Sequence, residues 1–151
     1  SQFLVEIVNQ VNSTERKTTM TPIPTGTINH ITLTVTDRDR AREFYASVLG
    51  FHFLMEFGPK YLLSNGSVIL ALNLSPDPAH AITDDKFDEN RVGLDHVSFN
   101  VGSHDVLVQA SQLLDERGIS RGEIKDLAEL GLYVLAFRDP DNIQLELFAA
   151  P

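Results

Sequence analysis

Hydrophobic positions along this chain follow two different periods, and the sequence of periods occurs twice. Residues 29–35 read NHITLTV and residues 95–101 read DHVSFNV. Apolar and polar residues alternate in both, the two-residue period of a strand with one buried face. Ile31, Leu33 and Val35 oppose His30, Thr32 and Thr34 in the first run; Val97, Phe99 and Val101 oppose His96, Ser98 and Asn100 in the second. Each run leads into a stretch of helical period. Ala41, Phe44, Tyr45 and Val48 predict a helix from Arg38 to Leu49, with Asp37 as N-cap and Gly50 just past its end. Val106, Ala110, Leu113 and Leu114 predict another from His104 to Arg117, with Ser103 as N-cap and Gly118 as its stop. Three strand-like runs follow each helix. After the first they are FHFLMEF, KYLLS and SVILALNL, the last two joined by the hairpin signal Asn65-Gly66. After the second they lie around RGEIKDL, LYVLAFR and IQLELF. A βαβββ unit is thus written twice, over about residues 28–75 and 93–150, and the fold class expected is α+β.

The stretch SPDPAHAITDDKFDENRVG joins the units and reads as a polar loop over one side of a single domain spanning residues 28–150. Residues 1–27 read as an N-terminal tail and linker. Phe3, Leu4, Ile7, Val8 and Val11 share one face of a short helix, TPIPTGT breaks it, and Met20 is an alternative start.

Composition narrows the partners. Lys and Arg total 12 against 21 Asp and Glu, and a net charge of -9 argues against nucleic acid and anionic membrane surfaces. There is no apolar run long enough to span a bilayer, and the first residues lack the basic start and apolar centre of a signal peptide. With no cysteine the chain has neither disulfides nor thiolate metal sites, and a reducing cytoplasm is the expected compartment.

The candidate chemistry begins with a charge in a strand. In RDPDNIQLELF, Ile143, Leu145 and Leu147 oppose Gln144, Glu146 and Phe148. Glu146, His30 and His96 therefore all fall on polar faces, and they converge if those faces curl around one cavity. Two imidazoles and a carboxylate form a competent ligand set for Fe, Mn, Zn, Co or Ni. A solvated sheet face accounts for the same three residues. Spacing alone favours that second reading, because ligands so scattered along a sequence carry little specificity.

Residues 28–150 resemble the vicinal oxygen chelate superfamily, which groups glyoxalase I, extradiol ring-cleaving dioxygenases, fosfomycin-resistance enzymes and bleomycin-binding proteins. The resemblance is carried by INHITLTVTDRDRAREFYASVLGF, LDHVSFNV and FRDPDNIQLELF. It implies two βαβββ modules forming a cup-shaped mixed sheet around a divalent metal, with His30, His96 and Glu146 as ligands, and it turns the choice towards the metal. Asn142 stands where the family turn usually has glycine, and asparagine tolerates the left-handed conformation. The family's fourth ligand position aligns with Ala71, where glyoxalase I usually carries Glu, so glyoxalase I activity is put in doubt. The three-ligand pattern is closer to that of extradiol dioxygenases and fosfomycin-resistance enzymes. Both commonly carry a Tyr about ten residues before the final Glu. That position is Ala136 here, and a three-residue loop from Pro140 to Asn142 would set it beside Glu146. Thr32 and Tyr61 resemble residues of the fosfomycin enzymes, for which Lys125 and Arg138 are the nearest phosphonate-binding candidates.

The function so implied is that of a metal-dependent lyase, isomerase or ring-cleaving dioxygenase that chelates a small substrate through adjacent oxygens. The alternative is a small-molecule binding and resistance protein of the bleomycin-binding or fosfomycin-resistance type. One divalent transition metal is expected, Fe(II) or Mn(II) first, with Zn, Ni or Co as alternatives. Glu146 is expected to act in catalysis as well as ligation. Thr32, Tyr61, Ser98, Asn100, Ala71 and Ala136 are expected to meet the substrate. His80 is read as a loop histidine, solvated or reaching the cavity as a general base; His52 is read as a polar-face or edge residue of its strand, His104 as a surface residue near a helix start, and Glu56 as an exposed residue with metal ligation as its alternative. The resemblance also implies a homodimer, since the paired modules of this superfamily often come from different chains; the sequence leaves open whether His30 joins His96 and Glu146 within one chain or across two.

Overall fold

Two strand–helix–strand–strand–strand modules follow one another in the computed structural model, which describes residue 2, residue 6 and residues 21–151. The apolar stripe expected from Phe3 to Val11 lies outside the described residues. The first module comprises β1 (His30–Thr34), α1 (Arg38–Leu49), β2 (His52–Phe57), β3 (Lys60–Ser64) and β4 (Ile69–Asn73). The second comprises β5 (Val97–Asn100), α2 (His104–Glu116), β6 (Lys125–Leu127), β7 (Leu132–Arg138) and β8 (Gln144–Ala149). Each module forms a four-stranded mixed sheet, ordered β1-β4-β3-β2 in one and β5-β8-β7-β6 in the other. The first strand of each runs parallel to the last, and the remaining pairs are antiparallel.

Local chemistry sets the element ends. Asp37 caps α1 by accepting from the backbone N–H of Arg40 at 3.0 Å, and Gly50 closes it in the left-handed conformation with φ 71°. Ser103 holds the N-cap position of α2, but its side chain makes no capping bond. The predicted apolar stripe of α2 needs a correction. Leu107 and Leu114 are its buried residues, whereas Val106 is 37% exposed. Leu107 lies seven residues before Leu114, two helical turns along one face, and Val106 is rotated off that line. β6 is shorter than RGEIKDL suggested. Before it the chain meets β7 irregularly, with an isolated bridge between Arg121 and Phe137 and a hydrogen bond from Gly122 N to Ala136 O.

One core serves both modules. Leu33, Tyr45, Leu63 and Leu72 of the first pack in the same cluster as Leu107, Leu135, Leu145 and Leu147 of the second. The modules meet through their helix-covered sides. Phe44 of α1 packs against Phe137 of β7, Phe51 stands edge-on to Phe99 of β5, and Arg117 beyond α2 donates to Ser47 Oγ of α1 at 2.7 Å. The opposite, polar faces of both sheets consequently point away from the shared core. His30, Thr32 and Thr34 are exposed on one, Ser98 and Asn100 on the other. Among the described residues the two sheets are not joined edge to edge.

The inter-module loop is pinned to the β7–β8 turn. Phe87 N donates to Asp141 O at 2.9 Å, Asn142 Nδ2 donates to Phe87 O at 2.9 Å, and Arg138 grips the Glu89 carboxylate with two bonds of 2.7 and 3.0 Å. Among the described residues no helix is long and apolar enough to cross a membrane.

Candidate metal centre

The β7–β8 hairpin places Glu146. Asn142 adopts φ 67°, which asparagine tolerates, and Asn142 N donates to Asp139 O across the turn. The resulting register sets Ala136 opposite Glu146, with Leu135 opposite Leu147 and Phe137 opposite Leu145 on the core side. Parallel pairing with β5 then puts Ser98 directly beside Glu146. The carboxylate is held at both oxygens: Ser98 Oγ donates to Oε2 at 3.3 Å and Gln144 Nε2 donates to Oε1 at 3.1 Å. His96 stands just ahead of β5 and brings Nε2 to 3.3 Å from Glu146 Oε2. Its other ring nitrogen, Nδ1, is 2.6 Å from Asp95 Oδ1.

The first module repeats this plan without the carboxylate. Thr32 stands opposite Ala71 in the β1–β4 pair as Ser98 stands opposite Glu146 in β5–β8. Ala71 is 2% exposed at the base of that face. His30 opens β1 and is exposed, with Nδ1 2.8 Å from Asn29 Oδ1. The structure thus brings His96 and Glu146 together and leaves His30 on the other module. Among the described residues no three His, Asp or Glu side chains are grouped closely enough to hold a metal ion. The donor types nevertheless suit a divalent transition metal, and each imidazole keeps Nε2 away from its Nδ1 partner. One chain thus brings His96 and Glu146 together and holds His30 on a separate outward face.

The remaining expected site residues divide. Thr32, Ser98, Asn100, Ala71 and Ala136 occupy the polar faces. Tyr61 does not: it pairs with Leu72, a core residue, and so lies on the helix-covered face. There its hydroxyl donates to Asp39 at 3.1 Å and the Arg38 guanidinium stacks 4.2 Å above its ring. Arg138 is on the polar face beside Gln144, but its guanidinium is engaged by Glu89. Glu56 is exposed and pairs with Arg38 at 3.6 Å. His104 stacks edge-on to Tyr133, and His52 is exposed on β2. His80 is exposed with Nδ1 2.6 Å from Asp77, and it lines a cavity of about 710 Å³ between the end of β1 and the inter-module loop. Leu74, Ile82, Phe87 and Val92 also line that cavity, while His30, His96 and Glu146 do not.

Sequence reasoning missed Asn29, Asp95 and Gln144. A signal was available for the first two, since each immediately precedes a candidate histidine in the repeat. Gln144 sits two residues from Glu146 and so on the same strand face.

This fold and this arrangement of side chains define a class. The chain belongs to the Glyoxalase/Bleomycin resistance protein/Dioxygenase superfamily, whose family model matches residues 27–147. A relative, the protein YwkD of Bacillus subtilis (strain 168), is 34% identical over 128 residues, covering 80% of this chain and 94% of its own. Among solved structures, a glyoxylase/bleomycin resistance protein/dioxygenase domain from Frankia sp. EAN1pec is 28% identical, with a TM-score of 0.68 over 85% of this chain and 94% of that one. The lactoylglutathione lyase from Agrobacterium tumefaciens shares the fold at 21% identity, with a TM-score of 0.66 over 84% of this chain and 96% of that one.

Proposed function

We propose that this chain is a divalent-metal-dependent enzyme, of lyase, isomerase or ring-cleaving dioxygenase type, acting on a small substrate with two adjacent oxygens. Its site is completed by a second copy of the chain, with His30 of one subunit joining His96 and Glu146 of the other. The observation that carries this reading is the 3.3 Å approach of His96 Nε2 to Glu146 Oε2 on a face turned away from the core. A carboxylate there, between Leu145 and Leu147 in a core strand, is explained by a cation that neutralises it. The outward orientation of the two polar faces from one shared core supports a pairing between subunits.

When bound, the metal would act as a Lewis acid that stabilises negative charge on a chelated substrate oxygen. Ser98 and Gln144 hold the carboxylate orientation, and the small side chain of Ala136 stands opposite Glu146 on the same face. Asn100 and Thr32 offer polar groups along the two faces for a substrate oxygen. Glu89 engages Arg138, one of the two cations a phosphonate substrate could use, which weakens the fosfomycin reading, while the other, Lys125, is exposed on β6.

Elemental analysis of the purified chain, beside His96→Ala and His30→Ala variants, tests the ligands. About one transition metal per chain, lost in both variants, is expected. Mixing the two variants tests the pairing. A mixed dimer regains one intact site, so about half the wild-type metal per dimer should return in that species. No metal in any of the three proteins after anaerobic reconstitution would overturn the reading and leave a small-molecule binding protein.

A further inference from the structure

The residue immediately before each candidate histidine closes onto that histidine's ring. Asn29 Oδ1 lies 2.8 Å from His30 Nδ1, and Asp95 Oδ1 lies 2.6 Å from His96 Nδ1. The two contacts hold the same place in the two modules, although one partner is an amide and the other a carboxylate. A carboxylate only accepts, and an amide oxygen does likewise, so each contact calls for a proton on Nδ1. A neutral imidazole has a single N–H, and its other nitrogen is then a bare lone pair. For both rings that nitrogen is Nε2. In His96 the choice is contested, because Glu146 Oε2 also lies near Nε2, but at 3.3 Å against 2.6 Å for Asp95 on Nδ1. The shorter, better-formed bond keeps the proton.

We propose that Asn29 and Asp95 are positioning residues, which fix His30 and His96 in the Nδ1–H tautomer and hold Nε2 of each as the outward donor atom. The use of those donors rests on the metal reading above; the tautomer itself is set before any metal arrives. The two halves differ in strength. A charged acceptor makes the tighter bond and increases the donor power of the far nitrogen, so His96 is the better prepared of the two ligands.

Long-range proton–nitrogen correlation spectra of the metal-free full chain report the tautomer of each ring directly. The spectra are recorded at about pH 9, well above the reference value of a free imidazole. Nδ1–H is expected for both His30 and His96. Asp95→Ala should move His96 towards Nε2–H, donated to Glu146, while Asp95→Asn, which keeps an acceptor oxygen, should retain Nδ1–H. Asn29→Ala should release His30 alone. A calorimetric titration with zinc ions gives the second readout. Asp95→Ala should bind roughly 10- to 100-fold more weakly, with most of the loss recovered in Asp95→Asn. An unchanged His96 tautomer in Asp95→Ala would overturn the proposal whatever the zinc result. A changed tautomer in a chain that binds no zinc in any form would uphold the positioning role and remove the metal reading instead.

Discussion

Tyr45 in α1 donates its hydroxyl proton to Asp139 Oδ2 at 2.8 Å, a bond that joins the first module to the second with both side chains buried. The carboxylate also accepts from the backbone N–H groups of Asp141 and Ile143, each at 2.8 Å. Burial pushes the Asp139 carboxyl above the ordinary aspartate value, and the three hydrogen bonds oppose that shift. Burial and the adjacent Asp139 carboxylate push the Tyr45 hydroxyl far above its usual range, so it remains a neutral donor. Asp141 supports the same seam by accepting from Thr36 N at 3.1 Å and Thr36 Oγ1 at 2.5 Å. The β7–β8 turn that aligns Glu146 is therefore anchored to the first module.

Tyr45→Phe keeps the ring, with its edge contacts to Phe44 and Phe51, and removes only the hydroxyl. A bond to a charged group contributes about 1.5–3 kcal/mol, and the variant should lose that much, read as a lower urea midpoint at unchanged slope. The pH dependence has a definite sign. A carboxyl raised in the folded state costs stability as pH climbs from the ordinary aspartate value to the raised one. Losing the Tyr45 donor raises Asp139 further, so the variant's deficit should grow with pH through that window. A deficit that shrinks with rising pH would contradict this account of the seam.

Glu89 and Arg138 give the opposite sign. The hydrogen bonds from Arg138, above all, hold the Glu89 carboxyl down at about 2. A group depressed on folding stabilises fully above its unfolded value near 4.5, and that contribution is lost as pH falls towards about 2. Glu89→Gln should accordingly be less stable than the wild type at neutral pH, and the two should converge on acidification below about pH 4.5. Denaturation midpoints between neutrality and about pH 2 measure this directly. Parallel midpoint curves would mean that the clasp contributes nothing to stability.

Much of this architecture was legible in the sequence because it depends on short-range signals. Asp37 and Gly50 bracket α1 as capping chemistry requires, and alternation placed His30, Thr32, Ser98 and Glu146 on polar faces without knowledge of their neighbours. Asn142 revealed the hairpin loop, and through it the pairing of Ala136 with Glu146. What failed depended on long-range packing. Tyr61 looks like a pocket residue in isolation, but its face is decided by its register against Leu72. Leu107 rather than Val106 faces the core because α2 is rotated by the sheet beneath it, and two adjacent apolar residues leave that rotation open. The clasp of Glu89 on Arg138 joins residues 49 positions apart, which no local pattern encodes.

The repeat itself yields the most demanding test. Thr32 opposite Ala71 is the same pairing as Ser98 opposite Glu146, so Ala71→Glu should give His30 the carboxylate neighbour that His96 already has. Two effects oppose each other. Ala71 is 2% exposed, and enlarging it should cost about 1–3 kcal/mol through overpacking. A carboxylate among the donors should also tighten zinc binding if it reaches the same ion as His30. Ala71→Gln separates the two, since it adds similar volume without the charge. In metal-free urea denaturation Ala71→Glu should lose at least as much as Ala71→Gln, because it adds a charge that must be desolvated, while only Ala71→Glu should gain affinity in a zinc titration. Equal zinc affinity in the two variants would mean that the two polar faces share a fold but not a ligand geometry. In that case the first module would contribute to the site through His30 alone.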